Sequence, residues 1–173
     1  MHETDFITLL ARMTPWRQRD IEARWRAMRR DAVLPADDPD PQSPEIGPER
    51  AGYLLIALAA PDTAAETNGA VAAYAAMPDR GEPFAGQPSF GEALADILGN
   101  AALAALIDDV VVCRTWPTAR IEYTLEAGEA GVAHYADVDD HRTPGVRVEA
   151  GLNGSLFRRL AEELETPAVR AGG

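Results

Sequence analysis

The sequence contains no lysine and only one cysteine, Cys113, among its 173 residues. Without lysine, a Schiff-base lysine, a P-loop lysine and a Ser–Lys dyad are all excluded. A single cysteine excludes an intrachain disulfide and fits a reducing compartment. The longest apolar run, residues 53–60, is far shorter than the ~20 residues of a membrane span. Residues 1–10 lack the charged-then-apolar order of a signal peptide. We therefore expect a cytoplasmic protein with no membrane segment.

Hydrophobic residues make up 46% of the chain, enough to bury a core without disulfides or metal. Apolar residues recur at helical spacing in the first two-thirds, whereas β-branched and alternating segments follow in the last third. The patterns predict an α+β fold. The expected helices are 5–13, 15–31, 48–60, 63–77, 89–98, 101–107 and 155–165, and the expected strands are 110–115, 120–125, 131–136 and 145–152.

The chain divides by composition into four segments. Residues 1–34 form a basic segment resembling a helix-turn-helix, and residues 35–48, with five prolines, form a linker. Residues 49–108 are helical, and residues 109–173 are expected to form an antiparallel β meander with a C-terminal helix. A domain boundary near Asp109 and a single unit, with the sheet packed on the helices, are both consistent with the sequence.

The net charge of −12 is unevenly distributed. Seven arginines lie between Arg12 and Arg30 against two acids, a balance of +5, whereas the remaining nine arginines face 26 acids, a balance of −17. An acidic protein repels nucleic acid at long range, but a concentrated basic element still binds a phosphate backbone at short range.

A helix through residues 16–32, with about 100° per residue, has two distinct sides. Its apolar stripe consists of Ile21, Trp25, Met28 and Ala32 and is expected to face the core. Arginines cover most of the rest of the helix. Arg19, Arg26 and Arg30 lie opposite the stripe, Arg17 and Arg24 on one flank and Arg29 on the other.

Arginine has a planar fork of donors that suits phosphate oxygens and guanine edges, and glutamine pairs with adenine. We therefore predict a DNA-binding helix. Base edges would be contacted by Arg17, Gln18 and Arg19, and phosphates by Arg24, Arg26, Arg29 and Arg30. Two other interpretations remain open. One is a solvated helix face with Glu22–Arg26 and Asp20–Arg24 ion pairs; the other is docking to an acidic surface, of a partner or of this chain.

The run RQRDIEARWRAMRRDAVLP, residues 17–35, resembles the helix and following apolar-Pro turn of helix-turn-helix proteins, including the MerR-like type. Residues 6–60 as a whole are also similar to uncharacterised bacterial and prophage-borne proteins, which continue into an Ala/Leu-rich helix like PERAGYLLIALAA. The resemblance implies a regulatory or accessory DNA-binding protein of mobile-element type. It also implies a homodimer, because DNA readers of this type commonly work as dimers.

The remaining candidates for chemistry are weak. Residues 134–141, HYADVDDH, contain two histidines and three aspartates that suit a transition metal, but acids are common in hairpin loops. Cys113 and His134 belong to the residue types that form a nucleophile–base pair. A cysteine in a β-branched strand is, however, usually a small core residue. We therefore expect no enzyme activity, no metal and no cofactor. The alternative function is an acidic protein–protein interaction module, an inhibitor or adaptor.

Overall fold

The computed structural model describes residues 1–30, 45–137 and 147–165. The longer helices are α1 (Glu3–Met13), α2 (Gln18–Arg30), α3 (Pro48–Ala59), α4 (Thr67–Ala75), α5 (Phe90–Gly99), α6 (Ala101–Leu106) and α7 (Gly154–Glu165). Short 3-10 turns occupy Ala64–Glu66 and Phe84–Gly86. None of the helices in these ranges has the length and apolar character needed to cross a membrane.

Four antiparallel strands form one sheet: β1 (Ile107–Cys113), β2 (Thr118–Thr124), β3 (Ala130–Ala136) and β4 (Glu149–Asn153). The order across the sheet is β3-β2-β1-β4. The predicted α+β fold is therefore confirmed. The first three strands form the expected meander, but the last strand joins β1 rather than continuing from β3, which the sequence pattern did not predict.

One face of the sheet packs against helices. Val110, Ile121 and Ala133 lie side by side on β1, β2 and β3, and all three are buried. Helix α7 crosses β1 and contacts α5 and α6, and the Tyr74 hydroxyl of α4 donates to the Cys113 carbonyl. The buried residues form one continuous core from α1 to α7. The described parts of the chain thus form a single α+β unit.

The other face of the sheet has no helix packed on it among the described residues. Ion pairs cover part of it: Arg120 contacts Glu122 at 2.6 Å and Glu149 at 3.0 Å, and Arg147 contacts Glu149 at 2.5 Å. Val132, also on this face, is 48% exposed. In β2 and β3 the alternation of apolar and polar residues therefore corresponds to one buried and one more solvated face. In the central strand β1, Val111 and Cys113 are buried on this face as well.

Local signals set the helix ends, in one case differently from the prediction. Ser89 caps α5 as predicted, accepting a hydrogen bond from the Glu92 N–H at 3.3 Å. Thr14-Pro15, predicted to begin α2, instead ends α1. The Thr14 N–H and hydroxyl both donate to the Leu10 carbonyl, at 3.0 and 2.7 Å. Helix α2 therefore begins at Gln18, and Arg17 occupies the position before it.

Candidate nucleic-acid interface

Helix α2 lies on the surface with its apolar stripe against the core. Ile21, Trp25 and Met28 are buried, as predicted, and Ala27 is buried beside them. The fourth predicted stripe residue, Ala32, lies outside the described residues. Contacts with α1, α3 and α4 hold the buried side of the helix, so its orientation is fixed and one side remains open to solvent.

Six of the seven residues predicted to bind DNA are exposed on that open side: Arg17, Gln18, Arg19, Arg26, Arg29 and Arg30. The Arg17 carbonyl accepts hydrogen bonds from the Asp20 N–H at 2.9 Å and the Ile21 N–H at 3.2 Å, which places Arg17 directly at the helix start. Its guanidinium makes no hydrogen bond or ion pair with any described residue. We call these six side chains the basic face.

Acidic side chains lie within the same surface. Arg29 pairs with Glu3 of α1 at 3.1 Å, and Arg19 lies 3.7 Å from Asp20. Gln18 donates to the Glu22 carboxylate at 3.0 Å. Counted over residues 1–30 alone, five arginines against these three acids leave a local balance of +2. Because exposed ion pairs are worth only about 0–1 kcal/mol, a phosphate can displace such carboxylates.

The two intrahelical ion pairs considered from the sequence do not form as expected. The Arg26 Nε donates to the Glu22 backbone carbonyl at 3.2 Å, while the Glu22 carboxylate accepts from Gln18. Asp20 lies beside Arg19, and Arg24 turns inward. The interpretation of α2 as a plain salt-bridged helix therefore loses its two named pairs.

Arg24 differs from the other predicted site residues because it is half-buried. Its guanidinium donates to the carbonyls of Ala57 at 2.9 Å, Thr63 at 3.3 Å and Asp62 at 3.4 Å. Burial, and then the nearby Arg114, lower the Arg24 pKa from its usual value. The last carbonyls of α3 have no partners within the helix, and a cation is favourable there. Arg24 is therefore a helix-capping residue, and its predicted role as a phosphate contact has no support in the structure.

Replacing Arg24 by alanine is expected to lower the free energy of unfolding by about 2 kcal/mol, because hydrogen bonds from a charged group to half-buried carbonyls are lost. Arg26→Ala, two residues further along the same helix but exposed, is the matched control and should change it by less than about 0.5 kcal/mol. Urea denaturation followed by circular dichroism measures both. Equal stabilities of the two variants would contradict the capping role.

Trp16 lies in the turn between α1 and α2 and is partly buried against the core. With Met13 and Leu156 it lines a cavity of about 320 Å³ beside β4. The sequence contained no signal for this cavity, because its walls come from the α1–α2 turn, β4 and α7, which are distant in the chain.

The metal and catalytic candidates do not form sites in the described structure. Within the described ranges, no group of three His, Cys, Asp or Glu side chains is arranged to hold a metal ion. Asp139, Asp140 and His141 lie outside the described residues. His134 and Cys113 are on β3 and β1, which are separated by β2. They are roughly 10 Å apart, too far for a nucleophile–base pair.

Cys113 itself is buried. Burial raises the pKa of its thiol, but hydrogen bonds from Thr115, the Trp116 backbone and Arg147 outweigh this effect, so the net pKa is lowered. Its sulfur lies 3.6 Å from the Thr115 hydroxyl and makes no hydrogen bond to a described histidine or carboxylate that could act as its base.

The basic face of α2 is thus the candidate functional site of the described chain. Comparison with protein-family models, with curated proteins and with solved structures finds no match to this chain.

Proposed function

We propose that the protein binds double-stranded DNA through the basic face of α2 and acts as a regulatory or accessory protein in the cytoplasm. The observation that carries the proposal is the orientation of α2. Its apolar stripe is buried, so all of the predicted contact residues except Arg24 point to solvent. A basic helix held by its opposite side is the arrangement that reads a DNA groove.

The two ends of the basic face have different roles. Arg17, Gln18 and Arg19 lie at the start of α2, where the side chains of a recognition helix contact base edges. The N-terminus of a helix also carries a partial positive charge, which favours a nearby phosphate. Arg26, Arg29 and Arg30 lie further along and contact the backbone, which positions the helix without reading sequence.

Charge sets the expected strength of binding. The whole chain carries −12, so DNA is repelled at long range, while the basic face has a local balance of only +2. Each arginine that contacts a phosphate releases counterions, and log Kobs then falls with log salt by about 0.9 for each contact. The three arginines assigned to the backbone, Arg26, Arg29 and Arg30, imply a slope of about −3, so we expect binding at low salt that weakens as salt rises.

The test is fluorescence anisotropy of a labelled, mixed-sequence DNA duplex titrated with the full chain at several salt concentrations. Arg26→Ala/Arg30→Ala should reduce the magnitude of the salt slope by about two. The matched control is Arg80→Ala/Arg159→Ala, which removes the same charge from exposed sites outside α2 and should leave the slope unchanged. Absence of binding at low salt, or equal losses in the two double variants, would refute the proposal.

A second candidate function, protein binding, is favoured by a groove of about 730 Å³ between α3, α4 and α5. Its lining includes Val71, Gly91 and several alanines, and its carboxylates are Glu49, Glu92 and Asp96. These acids accept hydrogen bonds only from neutral groups of the described chain, such as Tyr53 and Ser89. This surface suits a basic segment of another protein. Failure of the DNA measurement would leave this function as the better supported one.

A further inference from the structure

We propose that two copies of this chain associate through β4, whose outer edges pair antiparallel about a two-fold axis at Gly151. The proposal rests on the backbone and side chains of β4 and stands whether or not the protein binds DNA. It assigns a partner to the strand that ends the described sheet on one side.

The pairing of β4 with β1 determines which backbone groups point away from the sheet. The Arg114 N–H donates to the Val148 carbonyl at 2.7 Å, so these two residues are a hydrogen-bonded pair. Hydrogen-bonded and non-hydrogen-bonded pairs alternate along an antiparallel ladder. In the register of β1 and β4, Ala150 and Leu152 therefore bond to β1, whereas Glu149 and Gly151 direct their N–H and C=O groups outward. Asn153 directs only its N–H outward, because its carbonyl caps α7, which begins at the next residue.

The two edges of the sheet are not equivalent. The outer edge of β3 is partly occupied, because the Arg80 N–H donates to the His134 carbonyl at 2.8 Å and the Ala136 N–H donates to the Pro78 carbonyl at 3.2 Å. The outward groups of β4 have no such backbone partner among the described residues, and Glu149, Gly151 and Asn153 are all exposed. An edge of this kind is a template for another strand.

The side chains of β4 favour a second copy as that strand. Glu149 and Asn153 lie two residues on either side of Gly151, so antiparallel pairing centred on Gly151 places each opposite the other. In the described structure the Asn153 Oδ1 accepts from the Leu156 N–H at 3.1 Å and from the Ser155 hydroxyl at 2.7 Å. Its amide N–H groups have no partner there, and neither has the Oε2 of Glu149, since Oε1 accepts from Arg120 and Arg147. The Asn153 amide N–H of each copy therefore meets the Glu149 Oε2 of the other copy, which gives two such contacts across the axis.

Space is available on both faces of the added strand. A Cβ at Gly151 would meet nothing within 4 Å, so no described residue obstructs the axis on that face. On the other face, the cavity of about 320 Å³ beside β4 is lined by Met13, Trp16 and Leu156. Ala150 and Leu152 of the second copy would also be on this side. A two-fold axis perpendicular to the sheet places the same face of both copies on the same side. Pairing of residues 149, 151 and 153 gives about four backbone hydrogen bonds, two between the Gly151 residues and one from each Asn153 N–H to the opposite Glu149 carbonyl, and a continuous eight-stranded sheet.

The consequence for the molecule is a dimer whose helices all lie on one side of the extended sheet. The α1–α2 turn borders the cavity next to β4, so the turns of the two copies come together near the axis. Each basic face begins at such a turn. The two candidate DNA-binding helices would then be related by the same two-fold axis, the symmetry that a palindromic site requires.

The experiment is sedimentation equilibrium of the full chain without DNA over a wide range of protein concentration. The wild-type chain should show a monomer–dimer equilibrium. Gly151→Pro should raise the dimer dissociation constant at least tenfold, because proline removes the outward N–H at the axis but no hydrogen bond to β1. Gly151→Ala, which keeps that N–H, is the matched control and should change it by less than about threefold.

A second measurement does not depend on whether the proline variant folds. Gly151→Cys places two thiols opposite each other at the axis, within the distance that a disulfide spans, and should give a disulfide-linked dimer on mild oxidation. Gly69→Cys, exposed on α4, should give none under the same conditions. A wild-type chain that stays monomeric, a proline variant that dimerises as the wild type does, or cross-linking that is equal for the two cysteines would each overturn the proposal.

Discussion

Replacing Gly154 by alanine is expected to lower the free energy of unfolding by about 3 kcal/mol or more, a larger effect than the usual cost of overpacking a core. Gly154 is the first residue of α7, at the point where this helix crosses the start of β1. A Cβ there would lie 1.8 Å from the Ile107 carbonyl oxygen and 2.7 Å from the Ile107 carbonyl carbon. Both atoms belong to backbone, so no side-chain rotation relieves the clash and α7 must move away from the sheet.

The same substitution at Gly69 is the matched control, and its expected effect has the opposite sign. Gly69 is exposed inside α4, and a Cβ there would meet nothing within 4 Å. Alanine should therefore stabilise the protein by roughly 0.5–1 kcal/mol through the smaller loss of backbone entropy. Thermal and urea unfolding followed by circular dichroism measure both variants. Similar melting curves for Gly154→Ala and the wild type would show that the α7–β1 contact is not as close as described.

Much of the fold could be predicted because the relevant physics is local in the sequence. The buried stripe of α2 follows from a repeat of three to four residues, and the cap of α5 follows from Ser89 and Glu92 three residues apart. The alternation of residues 120–125 predicted a strand, and β2 occupies Thr118–Thr124. Each of these signals involves residues separated by at most one or two helical turns or a single strand.

The other features depend on residues that are distant in the chain. Arg24 and its arginine neighbours have the same side chain, and only the position of α3 shows that Arg24 caps another helix. The role of Gly154 in a close crossing and the position of β4 next to β1 are contacts between segments more than 30 residues apart. Periodicity contains no information about such contacts.

Replacing Trp25 by alanine is expected to lower the free energy of unfolding by about 3–5 kcal/mol, because a large buried side chain is lost and a cavity remains. Trp25 is only 1% exposed and is the largest buried side chain of α2. The loss approaches the whole stability of a small domain, which is typically about 5–15 kcal/mol. Urea denaturation measures it, and Trp16→Ala is the matched control, since partly buried Trp16 should cost about half as much.

Trp25 also links the core to the proposed function, because the basic face is the other side of the helix that Trp25 anchors. Trp25→Phe keeps most of the buried volume and removes no arginine, so the folded protein should bind DNA with the same salt slope as the wild type. Trp25→Ala should weaken DNA binding in proportion to the fraction of the protein that is unfolded. The molecules that remain folded should bind DNA with the same salt slope as the wild type. A reduced slope in the folded phenylalanine variant would mean that fewer phosphates are contacted although every arginine is present. The fixed orientation of α2 on which the DNA proposal depends would then be wrong.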